Sequence, residues 1–260
     1  MKCALTIAGS DPIGGAGIQA DIKAMTSLGI HTHTVITAVT AQNTAAVRSI
    51  MPMPIDIISE QLDSVFSDSD VRSVKTGMLY SPEIVKVVTE YLSGHDMPIV
   101  TDPVMVAGTG DSLAAEGLLK AIKDHLMPIC GLITPNKFEA ETISGITIND
   151  EDDAERACEI IGKNGNSVYI KGGHLDSEKV IDLLYHKAEF KRFEYTRLER
   201  AGHGGGCTLS AYIAANLAKG FDMVNSVIRS RDMIQYSIAS MYAVGKGDKV
   251  VNPTVRPFYR

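Results

Sequence analysis

The 260-residue chain lacks the features that mark several classes of protein. It has no surplus of basic residues, since 25 Lys and Arg stand against 31 Asp and Glu and the formal net charge is −6. A net negative surface is unsuited to general binding of nucleic acid or of an anionic membrane. No apolar run is long enough to span a bilayer, and the start, MKCALTIAGSD, is too short and too soon polar for a signal peptide. We therefore expect a cytoplasmic protein that binds neither nucleic acid nor membrane.

Several catalytic and metal-binding signatures are also missing. The four cysteines, at positions 3, 130, 158 and 207, form no C-x-x-C pair, which argues against a zinc knuckle or a redox motif. We expect three of them to pack as small hydrophobic residues. No G-x-x-x-x-G-K-[ST] is present, so the chain has no Walker-type P-loop. An HGGG run is present without a G-x-S-x-G, which excludes the nucleophile elbow of an esterase.

What the chain does contain is a repeated order of strand, polar or glycine-rich loop, and helix. This alternation predicts an α/β fold with a mostly parallel sheet flanked by helices, a ligand site at the carboxyl ends of the strands, and one domain over residues 1–260. The pattern predicts strands at 2–8, 31–40, 71–75, 98–101, 132–134 and 167–170, with a hairpin over 180–185 and 189–196. It predicts helices from 15 or 16 to 28, at 54–66, 82–92, 113–124, from 135 onward, and at 150–164, 208–219 and 223–244.

The stretch AGHGGGCTLSAYIAANLAKG carries the strongest local signal. Gly204, Gly205 and Gly206 can bring consecutive backbone N–H groups close to a ligand, and the helical pattern that follows places them at a helix N-terminus. Unpaired N–H groups and the helix dipole favour a phosphate or an oxyanion there, and they would stabilise a thiolate of Cys207. An ordinary glycine-rich turn with a packed cysteine is the alternative.

Four other polar residues have both a structural and a functional interpretation. Asp21 lies inside the apolar stripe of the first helix, so it needs a partner or a ligand, although a dipole-matched aspartate is the simpler explanation. Gln42 follows a strand, where α/β sheets bind ligands, but a solvated loop glutamine is equally ordinary. Asn136 and Glu139 have the spacing of a helix-capping box, which explains both residues without any function.

Seven motifs in register resemble the hydroxymethylpyrimidine and phosphomethylpyrimidine kinases of thiamine biosynthesis, in the ribokinase-like superfamily. The resemblance covers nearly the whole chain. It implies a three-layer sandwich, ATP and Mg²⁺ as cofactors, a homodimer, and phosphorylation of 4-amino-5-hydroxymethyl-2-methylpyrimidine and then of its monophosphate. The motifs are AGSDPIGGAGIQADIKAM, TAVTAQNT, KTGMLYSPEIV, TDPVMVAGTGD, TPNKFEAE, KGGH and HGGGCTLSAYIAANLAKG.

The resemblance assigns roles to individual residues of this chain. It implies that Cys207 acts on the hydroxymethyl oxygen, as a base or by aligning it, while the N–H groups of Gly204, Gly205, Gly206 and Cys207 stabilise the transferred phosphoryl group. The implied pyrimidine-binding residues are Gly9, Asp21, Gln42, Met78 and Val106. The implied nucleotide-side residues are Asp102, Asn136, Glu139, Lys171 and Gly172, with Asp102 and Glu139 near the metal, in part through water.

The chain also departs from the family pattern. Gly202 and Gly205 replace the two threonines of Thr-His-Gly-Thr-Gly-Cys, and Gly108 stands where a lysine is common. These changes are expected to lower turnover or affinity for a phosphorylated substrate. The two changes from threonine to glycine motivate one alternative, a non-catalytic protein that binds a vitamin precursor. Two others also stay open: a pyridoxal kinase of the same subfamily, which shares much of the pattern, and a Cys/His hydrolase using His203 and Cys207. The last has little support, because four-residue spacing across a flexible turn fixes no geometry.

Overall fold

The computed structural model of this protein describes residues 1–106, 113–172, 179–198 and 202–255. The strands are β1 (Cys3–Ser10), β2 (His31–Gln42), β3 (Val47–Pro52), β4 (Val71–Thr76), β5 (Ile99–Thr101), β6 (Leu132–Ile133), β7 (Ser167–Ile170), β8 (Lys179–His186) and β9 (Glu189–Thr196). The helices are α1 (Gly17–Ser27), α2 (Ile55–Asp68), α3 (Pro82–Leu92), α4 (Leu118–Ala121), α5 (Lys137–Ser144), α6 (Glu151–Ile161), α7 (Gly205–Ala218) and α8 (Met223–Ala239).

One sheet joins all of these strands, in the order β3-β2-β1-β4-β5-β6-β7-β8-β9. The six strands from β2 to β7 in this order are parallel to one another. The two edges are antiparallel: β3 pairs with β2, and β8 and β9 form the predicted hairpin beside β7. The prediction of a mostly parallel sheet is therefore confirmed.

Two helix layers cover the two faces of the sheet, because side chains alternate between faces along each strand. Leu5 and Ile7 of β1 pack in a core with residues of α2 to α6, whereas Ala4 packs in a second core with residues of α1, α7 and α8. Helix α7 lies deepest, with every residue from Thr208 to Ala218 buried. This arrangement is the predicted three-layer sandwich. No helix of the described residues is long and apolar enough to cross a bilayer.

The structure differs from the sequence-based elements at several places, and one of them is the start of α7, which lies at Gly205 and not at 208. Edge strand β3 is not predicted, because VRSIMP is largely exposed and shows no regular alternation. The helix expected from 113 begins only at Leu118, after Gly117 takes a left-handed conformation with φ +81°, and it continues as a wide π turn over Ile122–Leu126. Helix α8 ends at Ala239, five residues before the predicted end.

Candidate active site

A cavity of about 740 Å³ lies at the edge of the sheet where the parallel strands end. Its walls come from the ends of β1 and β2, from the segments after β4, β5, β6 and β7, and from the start of α7. All but two of the residues implied by the resemblance line it. Those that do are Gly9, Gln42, Met78, Asp102, Val106, Asn136, Glu139, Lys171, Gly204, Gly205, Gly206 and Cys207. Asp21 and Gly172 are the exceptions.

The N-terminus of α7 forms one wall. Gly204 is the N-cap residue and has φ +95°, and a Cβ at this position would stand 1.7 Å from the backbone oxygen of Gly15. Only glycine fits such a position. The first helical hydrogen bond runs from Thr208 N to Gly204 O, so the N–H groups of Gly205, Gly206 and Cys207 have no acceptor within the described residues. Three unpaired donors at the positive end of a helix make this wall suited to an anion.

A lysine and two carboxylates stand beside that helix end. Lys171 Nζ donates to Asp102 Oδ1 at 2.9 Å and lies 3.9 Å from Glu139 Oε2. Burial acts to lower the pKa of Lys171, but the attraction of Asp102 and Glu139 is stronger overall and raises it, so the ammonium stays charged. A Cβ on Gly206 would lie 3.2 Å from Lys171 Nζ, which shows how close this cation is to the free N–H groups.

Asn136 and Glu139 form the predicted capping box at the start of α5. Glu139 N donates to Asn136 Oδ1 at 2.9 Å, and Asn136 N donates to Glu139 Oε2 at 2.7 Å. The structural interpretation of this pair is thus confirmed, and both residues also line the cavity. Burial raises the pKa of the Glu139 carboxyl from 4.5 to about 7, with Lys171 opposing and Asp102 adding to the effect.

No group of three or more His, Cys, Asp or Glu side chains in the described ranges is arranged to hold a metal ion. Asp102 and Glu139 nevertheless offer two carboxylates, 2.9 Å and 3.9 Å from Lys171 Nζ, and Asp102 lies close to Gly206 at the start of α7. Mg²⁺ usually takes one or two protein carboxylates and completes its shell with water and substrate phosphates. The donor set therefore fits Mg²⁺ bound together with a phosphate ligand.

Cys207 is half-buried on the cavity wall. Burial raises the pKa of its thiol to about 11, although nearby Lys75 and the N–H of Gly17 act in the opposite direction. The carboxylates of Asp102 and Asp21 add to the increase. In contrast to the expectation from the helix N-terminus alone, the sulfur is a neutral thiol at neutral pH.

Asp21 is not among the residues that line the cavity, but it is paired with one of them. Its Oδ2 accepts hydrogen bonds from Lys75 Nζ at 2.8 Å and from Thr6 Oγ1 at 2.6 Å, and both charged side chains are fully buried. Lys75 itself reaches the cavity. Burial works against the charged form of Lys75, but the attraction of Asp21, with smaller contributions from Cys207 and Asp102, raises its pKa. The partner that an aspartate on this face requires is therefore Lys75.

Gly172 also lies outside the cavity wall. Its backbone N–H donates to Asp182 Oδ1 at 2.8 Å, and a Cβ would stand 1.6 Å from the oxygen of Ile181. The backbone of Gly172 is thus packed tightly on β8 and its donor is already used. The residue can shape the segment that carries Lys171, whereas a hydrogen bond to a nucleotide would first require Asp182 to release this group.

The structure adds three residues to the site that the implied roles did not include: Lys75, Asp11 and His203. Asp11 and His203 line the cavity and contact each other, with His203 Nε2 3.2 Å from Asp11 Oδ2. The lysine within the strand pattern VRSVKT, immediately before the TGM turn, is the sequence signal that could have identified Lys75. The pairing of Asp11 with His203 spans 192 positions and leaves no local signal.

The three departures from the family pattern differ in their surroundings. A Cβ at Gly202 would stand 2.2 Å from the oxygen of Lys249, so a threonine there requires the backbone to shift. At Gly205 the nearest atom to a Cβ is Val251 Cγ2 at 4.0 Å, which leaves room for a side chain. Gly108 lies outside the described residues.

Comparison with known proteins matches this chain to a family model and to curated relatives. The sequence profile described as phosphomethylpyrimidine kinase matches residues 11–252. A hydroxymethylpyrimidine/phosphomethylpyrimidine kinase of Streptomyces coelicolor is 41% identical over 245 residues, which cover 94% of this chain and 91% of that protein.

Solved structures show the same fold. A phosphomethylpyrimidine kinase of Clostridium difficile is 40% identical with a TM-score of 0.82, covering 92% of this chain and all of that one. A pyridoxal kinase of Staphylococcus aureus, solved with AMP-PCP and pyridoxal, is 31% identical with a TM-score of 0.89, covering 98% of this chain and 94% of that one. The predicted three-layer α/β fold is therefore confirmed.

Proposed function

Because this chain belongs to the phosphomethylpyrimidine kinase family, we propose that it transfers a phosphoryl group from ATP to 4-amino-5-hydroxymethyl-2-methylpyrimidine and then to the monophosphate product, in thiamine biosynthesis. Family membership, a kinase activity and the use of ATP agree with the prediction from the seven motifs. The observation that carries the proposal is the junction of three free N–H groups, Lys171 and Cys207 on one cavity wall.

The phosphate groups are assigned to the α7 side of the cavity. The N–H groups of Gly205, Gly206 and Cys207 and the ammonium of Lys171 are positive and fixed in place, and Gly204 holds the turn that presents them. Phosphoryl transfer depends on in-line positioning and on stabilising the charge of the transferred group, which fixed donors supply without reorganisation. Mg²⁺, held through Asp102 and Glu139 with water, would neutralise charge on the phosphate oxygens.

The pyrimidine is assigned to the part of the cavity that is lined by Gly9, Gln42, Met78 and Val106. Gly9 leaves no spare room, because a Cβ there would stand 2.4 Å from Met78 Cε. Asp21 holds Lys75, which is the member of the pair that lines the cavity. In this assignment Asp21 acts through Lys75 and not by direct contact.

Cys207, in the first turn of α7, is assigned to the place where the hydroxymethyl oxygen must meet the phosphoryl group. A neutral thiol with a pKa of about 11 is a poor proton acceptor at neutral pH. Of the two roles considered for Cys207, alignment of the attacking oxygen is therefore favoured over general-base catalysis in the ligand-free protein. The second phosphorylation starts from a phosphate oxygen that is already ionised, so it depends less on Cys207 in either role.

The testing experiment is a time course with ATP, Mg²⁺ and hydroxymethylpyrimidine, in which monophosphate and diphosphate products are followed by mass, with pyridoxal in a parallel reaction. We expect the diphosphate to appear after the monophosphate. Preference for pyridoxal would instead indicate a pyridoxal kinase, the activity named for the S. aureus structure. Tight pyrimidine binding without any product would leave only the non-catalytic alternative. A reaction with EDTA in place of Mg²⁺ tests the metal requirement.

A cytoplasmic location and a homodimer complete the proposal. Both follow from the sequence-based predictions and the family resemblance. Cell fractionation tests the location, and light scattering coupled to size-exclusion chromatography tests the assembly. A mass near 28 kDa, that of one chain, would exclude the dimer.

A further inference from the structure

His203 lies close to two cavity residues, a carboxylate and a side-chain amide, that differ in their hydrogen-bonding groups. Its Nε2 atom is 3.2 Å from Asp11 Oδ2 and 3.4 Å from the side-chain nitrogen of Gln42. Only about a tenth of the His203 side chain is exposed, and Asp11 is nearly inaccessible. One ring nitrogen therefore meets both a carboxylate and an amide in a place from which water is largely excluded.

Asp11 is held as an acceptor. Its Oδ2 accepts from the backbone N–H groups of Gly15 at 3.0 Å and Ala16 at 2.8 Å, and its Oδ1 accepts from Ile13 N at 2.9 Å. Burial acts to raise the pKa of Asp11, but these hydrogen bonds and the one with His203 together lower it. An ionised carboxylate only accepts hydrogen bonds, so the hydrogen on this contact belongs to His203 Nε2.

That hydrogen decides which way the Gln42 amide can face. A ring nitrogen that carries a hydrogen has no lone pair for the NH₂ group of a glutamine, so a nitrogen–nitrogen contact at 3.4 Å joins two donors. Rotation of the amide by 180° replaces the nitrogen with the oxygen, which accepts the shared hydrogen at the same place. We propose that His203, fixed by Asp11, is a positioning residue that turns the Gln42 carbonyl toward itself and the Gln42 NH₂ group toward the ligand in the cavity.

This orientation defines a chemical preference. Gln42 lines the cavity, and its other amide group makes no hydrogen bond within the described residues. Presented as NH₂, it can only donate, so it selects an acceptor such as an unprotonated ring nitrogen of a heteroaromatic ligand, and it disfavours an N–H or C–H at that place. The inference rests on the proposed function, in which Gln42 meets the pyrimidine ring.

The test is calorimetric binding of two probes to the full chain: hydroxymethylpyrimidine, and its analogue with CH in place of the ring nitrogen next to the amino group. The variants are His203→Leu, which removes the N–H, and His203→Gln, which can present an N–H at a similar distance from the backbone. One hydrogen bond is worth roughly 3- to 10-fold in affinity. We expect wild type and His203→Gln to prefer the pyrimidine over the analogue by about this factor. We expect His203→Leu to lose most of this preference, while its affinity for ATP stays within about twofold of the wild-type value.

Three results would overturn the inference. His203→Leu with the full wild-type preference would show that the Gln42 amide is oriented without His203. Equal loss of affinity for pyrimidine and ATP would show a merely structural role, and so would His203→Gln behaving like His203→Leu. A Gln42→Ala control separates a failure of this inference from a failure of the proposed function. If Gln42→Ala keeps the wild-type affinity and preference, Gln42 does not contact the ring. If the wild type binds no pyrimidine at all, the proposed function fails as well.

Discussion

The buried ion pair between Lys75 and Asp21 is the contact on which the floor of the cavity depends. The two side chains are fully inaccessible, and their charged atoms are 2.8 Å apart. The other hydrogen-bond partner of Asp21 is Thr6, and its Oδ1 has none among the described residues. Lys75→Met leaves Asp21 without its counter-charge, and Asp21→Asn does the same to Lys75, while both replacements keep nearly the same volume.

Breaking a buried ion pair by removing one partner costs about 3–5 kcal/mol, because an unpaired charge remains in a medium that solvates it poorly. Removing both partners costs far less, often near zero, since no charge is left behind. We therefore expect each single variant to lose about 3 kcal/mol of unfolding free energy, and the double variant to lose about 1 kcal/mol. For a chain of this size, 3 kcal/mol corresponds to a fall in melting temperature of roughly 6–12 °C.

The assay is equilibrium unfolding in urea, followed by far-UV circular dichroism because the chain contains no tryptophan. A double-mutant cycle then isolates the coupling between the two side chains. If the single variants lose less than about 1 kcal/mol, or if the double variant loses the sum of the two, the charges are not interdependent and the argument is wrong. The KM for hydroxymethylpyrimidine adds a second readout: a rise with Asp21→Asn but not with Lys75→Met would show that Asp21 meets the substrate directly.

Three further outcomes are expected. Gly204→Ala should abolish activity and lower the melting temperature, because φ at this position is +95° and the new Cβ would overlap the Gly15 oxygen. Gly205→Ala has no atom closer than 4.0 Å to its Cβ, so its unfolding free energy should stay the same or rise by up to about 1 kcal/mol. Equal losses of the two variants in thermal unfolding would contradict this contrast. Glu139 keeps its proton up to about pH 7 in the folded protein but releases it near pH 4.5 in the unfolded chain. The unfolding free energy of the ligand-free protein should therefore fall by up to about 3 kcal/mol as the pH rises between these two values. The same pH series on Glu139→Gln should lack that fall. Cys207→Ala should slow the first phosphorylation more than the second, and equal loss in a two-step assay would refute the division of roles.

The sequence predicts the helices and strands best where a local pattern decides them. Helix α3 and strand β7 begin and end at the predicted residues, because proline and buried apolar runs mark them clearly. The capping box at Asn136 is confirmed in both of its hydrogen bonds, since the motif is contained within four residues. Where burial depends on distant elements an apolar pattern is a weaker guide: Ile22, an apolar residue of α1, is 36% exposed.

In the candidate site, too, features set by neighbouring residues can be predicted from the sequence and features set by distant residues cannot. The glycine turn at Gly204 is local and lies where the pattern predicts, although helix α7 begins at Gly205, three residues before the predicted start at 208. The neutral state of the Cys207 thiol could not be predicted, because it depends on the burial of the sulfur and on Asp102 and Asp21, which are far away in sequence. The Asp21–Lys75 pair likewise joins α1 to β4 across 54 positions, and it depends on α1 packing on β1, the neighbour of β4 in the sheet, which neither motif indicates.

The charges in the cavity give a physical reason for the proposed need for Mg²⁺. Two ammonium groups, Lys75 and Lys171, face the carboxylates of Asp21 and Asp102, and Glu139 adds a third negative charge once it loses its proton. Before any ligand enters, the lysines are therefore already neutralised, and the remaining attraction for phosphate comes from the partial charges at the start of α7. A nucleotide with several negative charges needs more positive charge than the start of α7 supplies. A divalent cation entering with it would supply the missing charge and would displace the proton from Glu139, so nucleotide binding should release protons between pH 5 and 7 in the wild type and not in Glu139→Gln.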